Sequence, residues 1–329
     1  MTPLVKPVVL VGICLILYKN VSLRMVTHAI WNAKPAWLAL VFAAATAIPV
    51  ILGMRLSVMA RMPALRMSRC MFKVFFLNNW APAQIGGDLY KVIALYGHIG
   101  NHGRALSAVV CDRLVGLIAH VVLVVMSLIL GWRHFEQSIY AQGAMAYVVL
   151  VCAAVAVVVA GPIGWLGRVP VVRAIAPKVR RSQDQLRATM RESLCYGVTL
   201  TIGVVAVYEV MLCAAMAALE LPVDVYSVVV FFPVISVLVL TLPVSFNGLG
   251  VRESLFVLFF GMVGYTREEG LAIGVIYLMA VLMLSVIGGL LFLVEGTELS
   301  SVGNAEFGRG KGALGADNTS SAEMDEVCK

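Results

Sequence analysis

The sequence predicts an all-α polytopic membrane protein, and three observations support this fold class. Hydrophobic residues make up 61% of the 329 residues and charged residues only 13%, and the mean hydropathy of +0.94 is too high for a soluble domain of this length. Apolar stretches near the ~20 residues that a spanning helix needs recur along the chain. Two short runs rich in proline and glycine interrupt them. Together these features predict about seven spanning helices plus two re-entrant, broken-helix segments.

Seven apolar stretches are long enough to be predicted as spanning helices. The first resembles a signal peptide, but no small-residue cleavage pattern follows its apolar run, so we predict that it is retained as a helix. Two further stretches, 71–96 and 251–264, are apolar but shortened or interrupted, and we interpret them as re-entrant. The seven predicted spans cover residues 3–18, 36–60, 105–131, 143–165, 194–219, 225–242 and 271–294.

Two short runs break the apolar pattern, one in each half of the chain. Each contains a proline, then two glycines, then charged residues. Matching interruptions of this kind indicate a substrate site near the middle of the membrane that is built from broken helices. The alternative is that proline and glycine are simply more common in membrane helices than in soluble ones. The interrupting residues are Pro82, Gly86 and Gly87 in the first run, and Pro243, Gly248 and Gly250 in the second.

The formal net charge of +7 does not predict nucleic-acid binding, because the basic residues are placed between the predicted spans, where they orient the protein. Segment 167–191 holds seven Lys and Arg residues and one acid. We expect this segment and a second basic group on the cytoplasmic side, and the acidic loop 220–224 outside. The second basic group consists of Arg55, Arg61, Arg66, Arg69 and Lys73.

This orientation gives the stretches 36–131 and 194–294 opposite topology, which predicts an inverted-topology repeat within a membrane domain of residues 1–295. The loop 19–35 is basic yet falls outside in this scheme, which leaves the orientation of the first helix open. Residues 296–329 are polar and rich in Gly and Ser, so we expect a disordered cytoplasmic tail. The seven cysteines are scattered, and we expect no disulfide, metal or other cofactor.

Asp88 and Lys91 are the first candidate substrate-binding residues. A half-helix starting near Gly86-Gly87 would carry the Asp88 carboxylate near its positive N-terminal end and the Lys91 cation one turn on. A charged group in the hydrocarbon region is costly unless it is paired or hydrated, which indicates a functional role. The alternative is that Asp88 caps a helix at the cytoplasmic interface and touches no substrate.

Asp112 and Arg113 are the second pair of candidates, because they lie inside the apolar stretch 105–131. Neighbouring residues on a helix point about 100° apart, so each of these two side chains needs a partner on another element. A structural ion pair between helices is the alternative to a ligand contact. The expected partners are Asp88, Lys91, Arg252 and Glu253.

Arg252 and Glu253 are the third pair, and they directly follow the run Asn247-Gly248-Leu249-Gly250. The glycines allow a sharp turn whose amide N–H groups can face an anion, and the Arg252 guanidinium matches phosphate oxygens bidentately. Glu253 would then be the counter-charge of the empty site, or a proton acceptor. A salt bridge between helices is the alternative for this pair as well.

Other polar residues in the apolar segments are weaker candidates. Asn78 precedes the first interruption, and we expect it to face the protein interior or to cap broken backbone. Glu209 is a further acid inside an apolar span that could line the same pathway. His98 and His102 have helical metal-ligand spacing, but glycines surround them and no third ligand is evident, so we do not predict a metal site.

In their order along the chain, these motifs resemble the lysylphosphatidylglycerol synthase transmembrane family, also called flippase-like membrane proteins. The resemblance covers about residues 5–295. Its first set is Pro82, Gly86-Gly87-Asp88, Lys91, Ala105, Asp112-Arg113 and Gly116, and its second is Pro243, Ser245, the run from Gly248 to Glu253, Ala272 and Gly288-Gly289.

This resemblance implies a helical membrane fold with re-entrant segments and a role in handling a lipid, such as an anionic phospholipid or a polyprenyl-linked or hopanoid-type lipid. Lys91 stands where the family more often has arginine, which keeps the charge but loses the bidentate fork. The chain ends after the membrane region, without the soluble aminoacyl-transferase domain of full-length synthases. We therefore do not expect aminoacylation by this chain alone.

The sequence thus predicts a multi-pass lipid flippase or transporter of the inner (cytoplasmic) membrane that acts in cell-envelope lipid or glycan metabolism. No ATP-binding motif is present, so movement would be passive or coupled to an ion through a carboxylate. The alternative is a membrane enzyme of lipid or lipid-linked glycan biosynthesis, although the loops contain no acid cluster for a metal-bound diphosphate. An accessory subunit that recruits a soluble biosynthetic enzyme through segment 167–191 is a further alternative.

Overall fold

A computed structural model describes residues 23–80, 85–133, 170–241 and 250–295, with scattered positions between 142 and 153; for residues 170–192 it describes the backbone alone. All regular secondary structure within these ranges is α-helical, as the composition predicts. In chain order the helices are α1 (Leu23–Trp31), α2 (Pro35–Ala60), α3 (Ala64–Trp80), α4 (Ile85–Ile99), α5 (His102–Leu130), α6 (Pro170–Ala218), α7 (Val225–Thr241), α8 (Val251–Gly261) and α9 (Arg267–Glu295).

Four helical stretches in the described ranges are long and apolar enough to cross a membrane: Pro35–Ala60, His102–Leu130, Ser193–Ala218 and Arg267–Glu295. They contain 26, 29, 26 and 29 residues, and they lie where four of the spans are predicted. α7 is apolar but shorter. The predicted span 3–18 lies outside the described residues, and the span 143–165 falls where only scattered positions are described. The chain is a multi-pass helical membrane protein.

Helix α6 extends far beyond the apolar span that the sequence predicts. It contains 49 residues and begins at Pro170, so residues 170–191 are helical and do not form a loop between spans. A proline suits the first turn of a helix, and the Arg, Lys, Gln, Leu and Ala residues that follow are good helix formers. Helix α1 likewise occupies part of the predicted loop 19–35, and its Val26 is buried against Leu271 and Ala272 of α9.

Two cations that the sequence assigns to an orienting basic group lie inside the protein instead. Arg55 is within α2 and is 8% exposed, and Lys73 is within α3 and is 2% exposed. Each of them forms an ion pair, with Asp112 and Glu295 respectively. Buried charges are retained only when they are paired, so their role is internal rather than that of an orienting loop charge.

The start of α3 packs with the ends of its neighbours on one side of the molecule. Leu56 near the end of α2, Met67 of α3, Leu95 near the end of α4 and Ala105 at the start of α5 belong to one buried apolar cluster. These four helix ends therefore share one face. A larger cluster draws residues from α2, α5, α6, α7, α8 and α9, and its α7, α8 and α9 part is rich in aromatic rings, with Phe231, Phe256, Phe259, Phe260 and Tyr277.

Glycines on α9 allow two neighbouring helices to approach it closely. A Cβ built at Gly270 would lie 2.9 Å from the Cα of Val257 on α8. A Cβ at Gly288 would overlap the carbonyl oxygen of Phe72 on α3. Small residues at such positions let helix backbones pack by direct contact within a membrane.

Replacing Gly288 with alanine is expected to lower the stability of the folded protein by about 1–3 kcal/mol, because α3 must move away to admit the methyl group. The measurement is the thermal unfolding midpoint of the purified protein in detergent. Gly203→Ala on α6 is the matched control, since nothing lies within 4 Å of a Cβ at that position. Equal midpoints for the two variants would contradict the close α3–α9 contact.

Candidate functional site

A cavity of about 240 Å³ lies at the centre of the helices, with contributions from α2 to α9. It collects side chains from both halves of the predicted repeat. Part of its wall is apolar and includes Phe75, Phe232 and Val281. The rest is polar and strongly charged, and its polar side chains are Arg55, Asn78, Asp88, Lys91, Asp112, Arg113, His120, Tyr208, Ser236, Arg252 and Tyr277.

Asp112 is the centre of a buried ion-pair network in this wall. Its side chain is 2% exposed. Arg55 Nε donates to Asp112 Oδ1 over 2.7 Å, and Lys91 Nζ lies 3.3 Å from Oδ2. Arg55 Nη1 also donates to Thr201 Oγ1 over 2.9 Å. The network thus links α2, α4, α5 and α6 through one carboxylate.

Asp88 extends the network toward the more open part of the cavity. It lies in the first turn of α4, and its Oδ1 is 3.4 Å from Lys91 Nζ. Arg113 donates to Asp88 Oδ2 through Nε over 2.6 Å and through Nη2 over 2.5 Å. The Arg113 side chain is 34% exposed, so its guanidinium remains accessible from the cavity.

The structure places two of the four expected partners beside Asp112 and Arg113. Lys91 contacts Asp112 and Asp88 contacts Arg113. Asp88 therefore pairs with two cations. The alternative interpretation, in which Asp88 only caps a helix at the cytoplasmic interface, requires neither pair. Within the described chain, Arg252 and Glu253 form their ion pair with each other and not with Asp112 or Arg113.

Gly86 and Gly87 lie inside the first turn of α4, not before it. The Gly87 N–H donates to Asn78 Oδ1 over 3.0 Å, which joins the end of α3 to the start of α4. A Cβ at Gly87 would collide with the Asn78 side chain. Asn78 thus satisfies backbone near the break, as the sequence predicts, and this contact fixes the position of Asp88.

Arg252 and Glu253 form a second charged pair in the described chain, at the start of α8. Arg252 Nη2 is 3.0 Å from Glu253 Oε1, and both side chains are buried. The Arg252 guanidinium also lies over the Tyr277 ring, 4.4 Å from its centre. Among the described residues, this pair is therefore not the salt bridge between two helices of the alternative interpretation, because both partners lie in the same turn.

The amide of Gly250 is not free to receive an anion, contrary to the sequence prediction. Gly250 has a φ of 80°, which favours glycine, and its N–H donates to Glu253 Oε2 over 2.6 Å. Glu253 therefore reaches back to cap α8 while it pairs with Arg252. The remaining predicted residues Pro82, Pro243, Ser245, Asn247 and Gly248 lie outside the described residues.

The charges around the cavity do not balance among the described residues. Four cations, Arg55, Lys91, Arg113 and Arg252, face three carboxylates, which are Asp88, Asp112 and Glu253. One positive charge is in excess. A buried site with this excess accepts an anion more readily than a cation, because attraction in a low-dielectric interior is strong.

Several residues of this site are missed by the sequence predictions. Arg55 is assigned to an orienting group, although its position inside the apolar run 36–60 is the signal that could have identified it. Tyr208 lines the cavity, whereas its neighbour Glu209, the predicted candidate, does not. Tyr277 carries no sequence signal, because a single tyrosine in an apolar helix is common.

The two histidines with helical metal-ligand spacing make separate contacts in the structure. His98 Nδ1 lies 2.9 Å from the Ala94 carbonyl oxygen on its own helix, and the His102 ring stacks on Tyr96. Within the part of the chain that the structure describes, no group of three or more His, Cys, Asp or Glu side chains could hold a metal ion.

Comparison with known proteins identifies one family. A family model described as "Lysylphosphatidylglycerol synthase TM region" matches residues 4–289, which is most of the chain. A search of curated proteins found no match. The family match agrees with the resemblance that the motifs indicate.

Proposed function

We propose that this chain, which belongs to the lysylphosphatidylglycerol synthase TM region family, is a flippase that carries an anionic lipid headgroup through its central cavity. Membership of this family and the spanning helices make it a membrane protein of lipid metabolism. The observation that carries the proposal is the buried excess of positive charge in a cavity of about 240 Å³ with one apolar wall. An anionic lipid has the complementary combination of a negatively charged group and an apolar body.

Arg113 and Arg252 are the proposed headgroup ligands. Both line the cavity, and both carry the planar fork that matches phosphate oxygens. In the structure, Asp88 pairs with Arg113 and Glu253 pairs with Arg252. We propose that the headgroup replaces one of these carboxylates. Arg55, Lys91 and Asp112 form the buried base on which the site is built.

We also propose an inverted repeat of 36–131 and 194–294, re-entrant segments around the two interruptions, an inner-membrane location and a cytoplasmic C-terminal tail. Helices α3, α4 and α8 have 17, 15 and 11 residues, which is short of the ~20 residues of a typical span. Charged residues from α4 and α8 line the same cavity. Both observations support re-entrant segments that meet at a shared site.

The proposal predicts that purified protein in liposomes moves fluorescent phosphatidylglycerol between leaflets faster than it moves phosphatidylcholine, whose headgroup has no net charge. The assay follows bleaching of the label by a membrane-impermeant reductant, with and without a pH gradient. Arg113→Gln is expected to slow movement several-fold, and Arg133→Gln, which is outside the cavity, is the control.

Protein-free and heat-denatured samples set the background of this assay. Movement no faster than background under either gradient condition would overturn the flippase proposal. Equal rates for the two lipids would overturn the proposed selection of an anion. In cells that lack the protein, loss of a lipid or accumulation of its precursor, with leaflet distribution unchanged, would favour the biosynthetic alternative.

A further inference from the structure

We propose a second binding site, at the start of α3, which takes a phosphate group on the face of the protein where α2 and α4 end. A cavity of about 320 Å³ lies here between α3 and the end of α9, separate from the central cavity. Its charged lining consists of Arg66, Arg69, Lys73 and Glu295. These residues take no part in the proposed transport site.

The cations of this cavity outnumber its carboxylates. Lys73 Nζ lies 2.9 Å from Glu295 Oε2, and Arg69 Nη1 lies 3.3 Å from Oε1 of the same carboxylate. Arg66 forms no ion pair with any residue that the structure describes. Three cations around one carboxylate leave an excess of two positive charges. A phosphate monoester carries close to two negative charges at neutral pH and matches this excess, whereas a diester carries one and balances half of it.

Charges that only orient a membrane protein need neither converge nor be buried. Here Arg66, Arg69 and Lys73 follow one another at the spacing of a helix face and converge on one cavity. The Lys73 side chain is 2% exposed and packs near the Phe292 ring, 5.5 Å from its centre. Lys73 is therefore a cation held in a fixed position inside the cavity. The two more exposed arginines supply forked hydrogen-bond donors at the opening of the cavity.

Helix α3 also contributes Met71, Val74 and Asn78 to the central cavity. A helix rises about 1.5 Å per residue, so the two cavities are within roughly 10 Å of each other along α3. A headgroup held at the second site would be close to the central one. A role of the second site in passing a headgroup to the central cavity rests on the proposed function, whereas phosphate binding at the second site does not.

The test is a calorimetric titration of the full chain, purified in a maltoside detergent that contains no phosphate. Two probes are used, inorganic phosphate and the water-soluble dihexanoyl phosphatidylglycerol. Arg66→Gln is expected to weaken binding about tenfold, the effect of losing a charge-assisted hydrogen bond. Arg104→Gln is the matched control. It removes an exposed cation beside Ala105, on the same face but outside the cavity, and should change binding less than about twofold.

The two probes separate the sources of the phosphate. If both probes bind and Arg66→Gln abolishes this binding, the site is supported and free phosphate is a sufficient ligand. If only the lipid binds, the site is supported and its ligand is a lipid. Binding of neither probe, or equal weakening by Arg66→Gln and Arg104→Gln, would overturn the site. The titration requires no transport, so lipid movement can fail in the liposome assay while the binding that depends on Arg66 is retained, which distinguishes the two proposals.

Discussion

Replacing Asp112 with asparagine is expected to destabilise the protein by about 3–5 kcal/mol, the cost typical of removing one partner from a buried ion pair. Asparagine keeps the shape of the side chain but removes the negative charge between Arg55 and Lys91. Both cations are buried. The Arg55 guanidinium then loses the carboxylate with which it pairs in the described chain, and an unpaired buried charge is far more costly than a missing exposed pair.

The measurement is the thermal unfolding midpoint, together with the yield of folded protein extracted from membranes. Glu220→Gln is the control, because it removes a carboxylate from an exposed pair with Lys34, whose two side chains are 64% and 56% exposed. That change is expected to cost less than about 1 kcal/mol. The double variant Asp112→Asn with Arg55→Gln should recover part of the lost stability, since it also removes the Arg55 cation that Asp112→Asn leaves unpaired.

Unchanged unfolding of Asp112→Asn would contradict the buried network, and a double variant that is less stable than the single one would contradict Arg55 as the main partner. Asp112→Glu supplies a further comparison. It keeps the charge but adds a methylene to a packed site, so its loss should be smaller than that of asparagine.

Replacing Arg252 with lysine is expected to reduce anionic-lipid movement at least about tenfold while the fold is retained. Lysine keeps the positive charge toward Glu253, so no buried carboxylate is left unpaired. It loses the forked donors and the planar stacking over Tyr277. The substitution therefore separates the geometry of the guanidinium from its charge.

The rate is measured in the liposome assay, and the unfolding midpoint of the same preparation checks the fold. Arg104→Lys makes the same chemical change outside both cavities and should keep the wild-type rate. A wild-type rate for Arg252→Lys would exclude Arg252 as a bidentate headgroup ligand. A slow rate combined with a large fall in the midpoint would indicate that Arg252 is structural instead.

The sequence was sufficient to predict the helical membrane class and most charged residues of the central cavity that are described. The reason is energetic, since a charge in an apolar helix must find a partner or water. Asp88, Lys91, Asp112 and Arg113 stand out for this reason, and the structure brings them together. Their roles in substrate binding remain predictions.

The partners themselves could not be predicted, because they depend on how helices pack in three dimensions. Arg55 is 57 residues from Asp112 in the sequence, and Thr201 is 146 residues from Arg55. The sequence also did not predict which way the side chains point around each helix. Tyr208 faces the cavity and Glu209 does not, although polarity alone favours the glutamate.

The helical residues 170–191 show a different limit of sequence interpretation. Their many charges suggested a loop, because charge usually marks the segments between spans. The same residues are good helix formers, and the backbone continues without a break into the apolar part of α6. Polarity indicates where a chain leaves the hydrocarbon region, but it does not indicate where a helix ends.

The pairing of Arg252 with the adjacent Glu253 has a consequence for the rate at which a bound headgroup would leave the site. Because the two residues are neighbours in the chain, Glu253 competes with any external anion at a high effective concentration that never falls. If Arg252 binds a headgroup as proposed, this internal pair lowers the net affinity. A weakly held cargo also departs readily, since differences in affinity appear mainly in the rate of dissociation. Under the proposed function, Glu253 would thereby favour rapid release of the lipid over its tight capture.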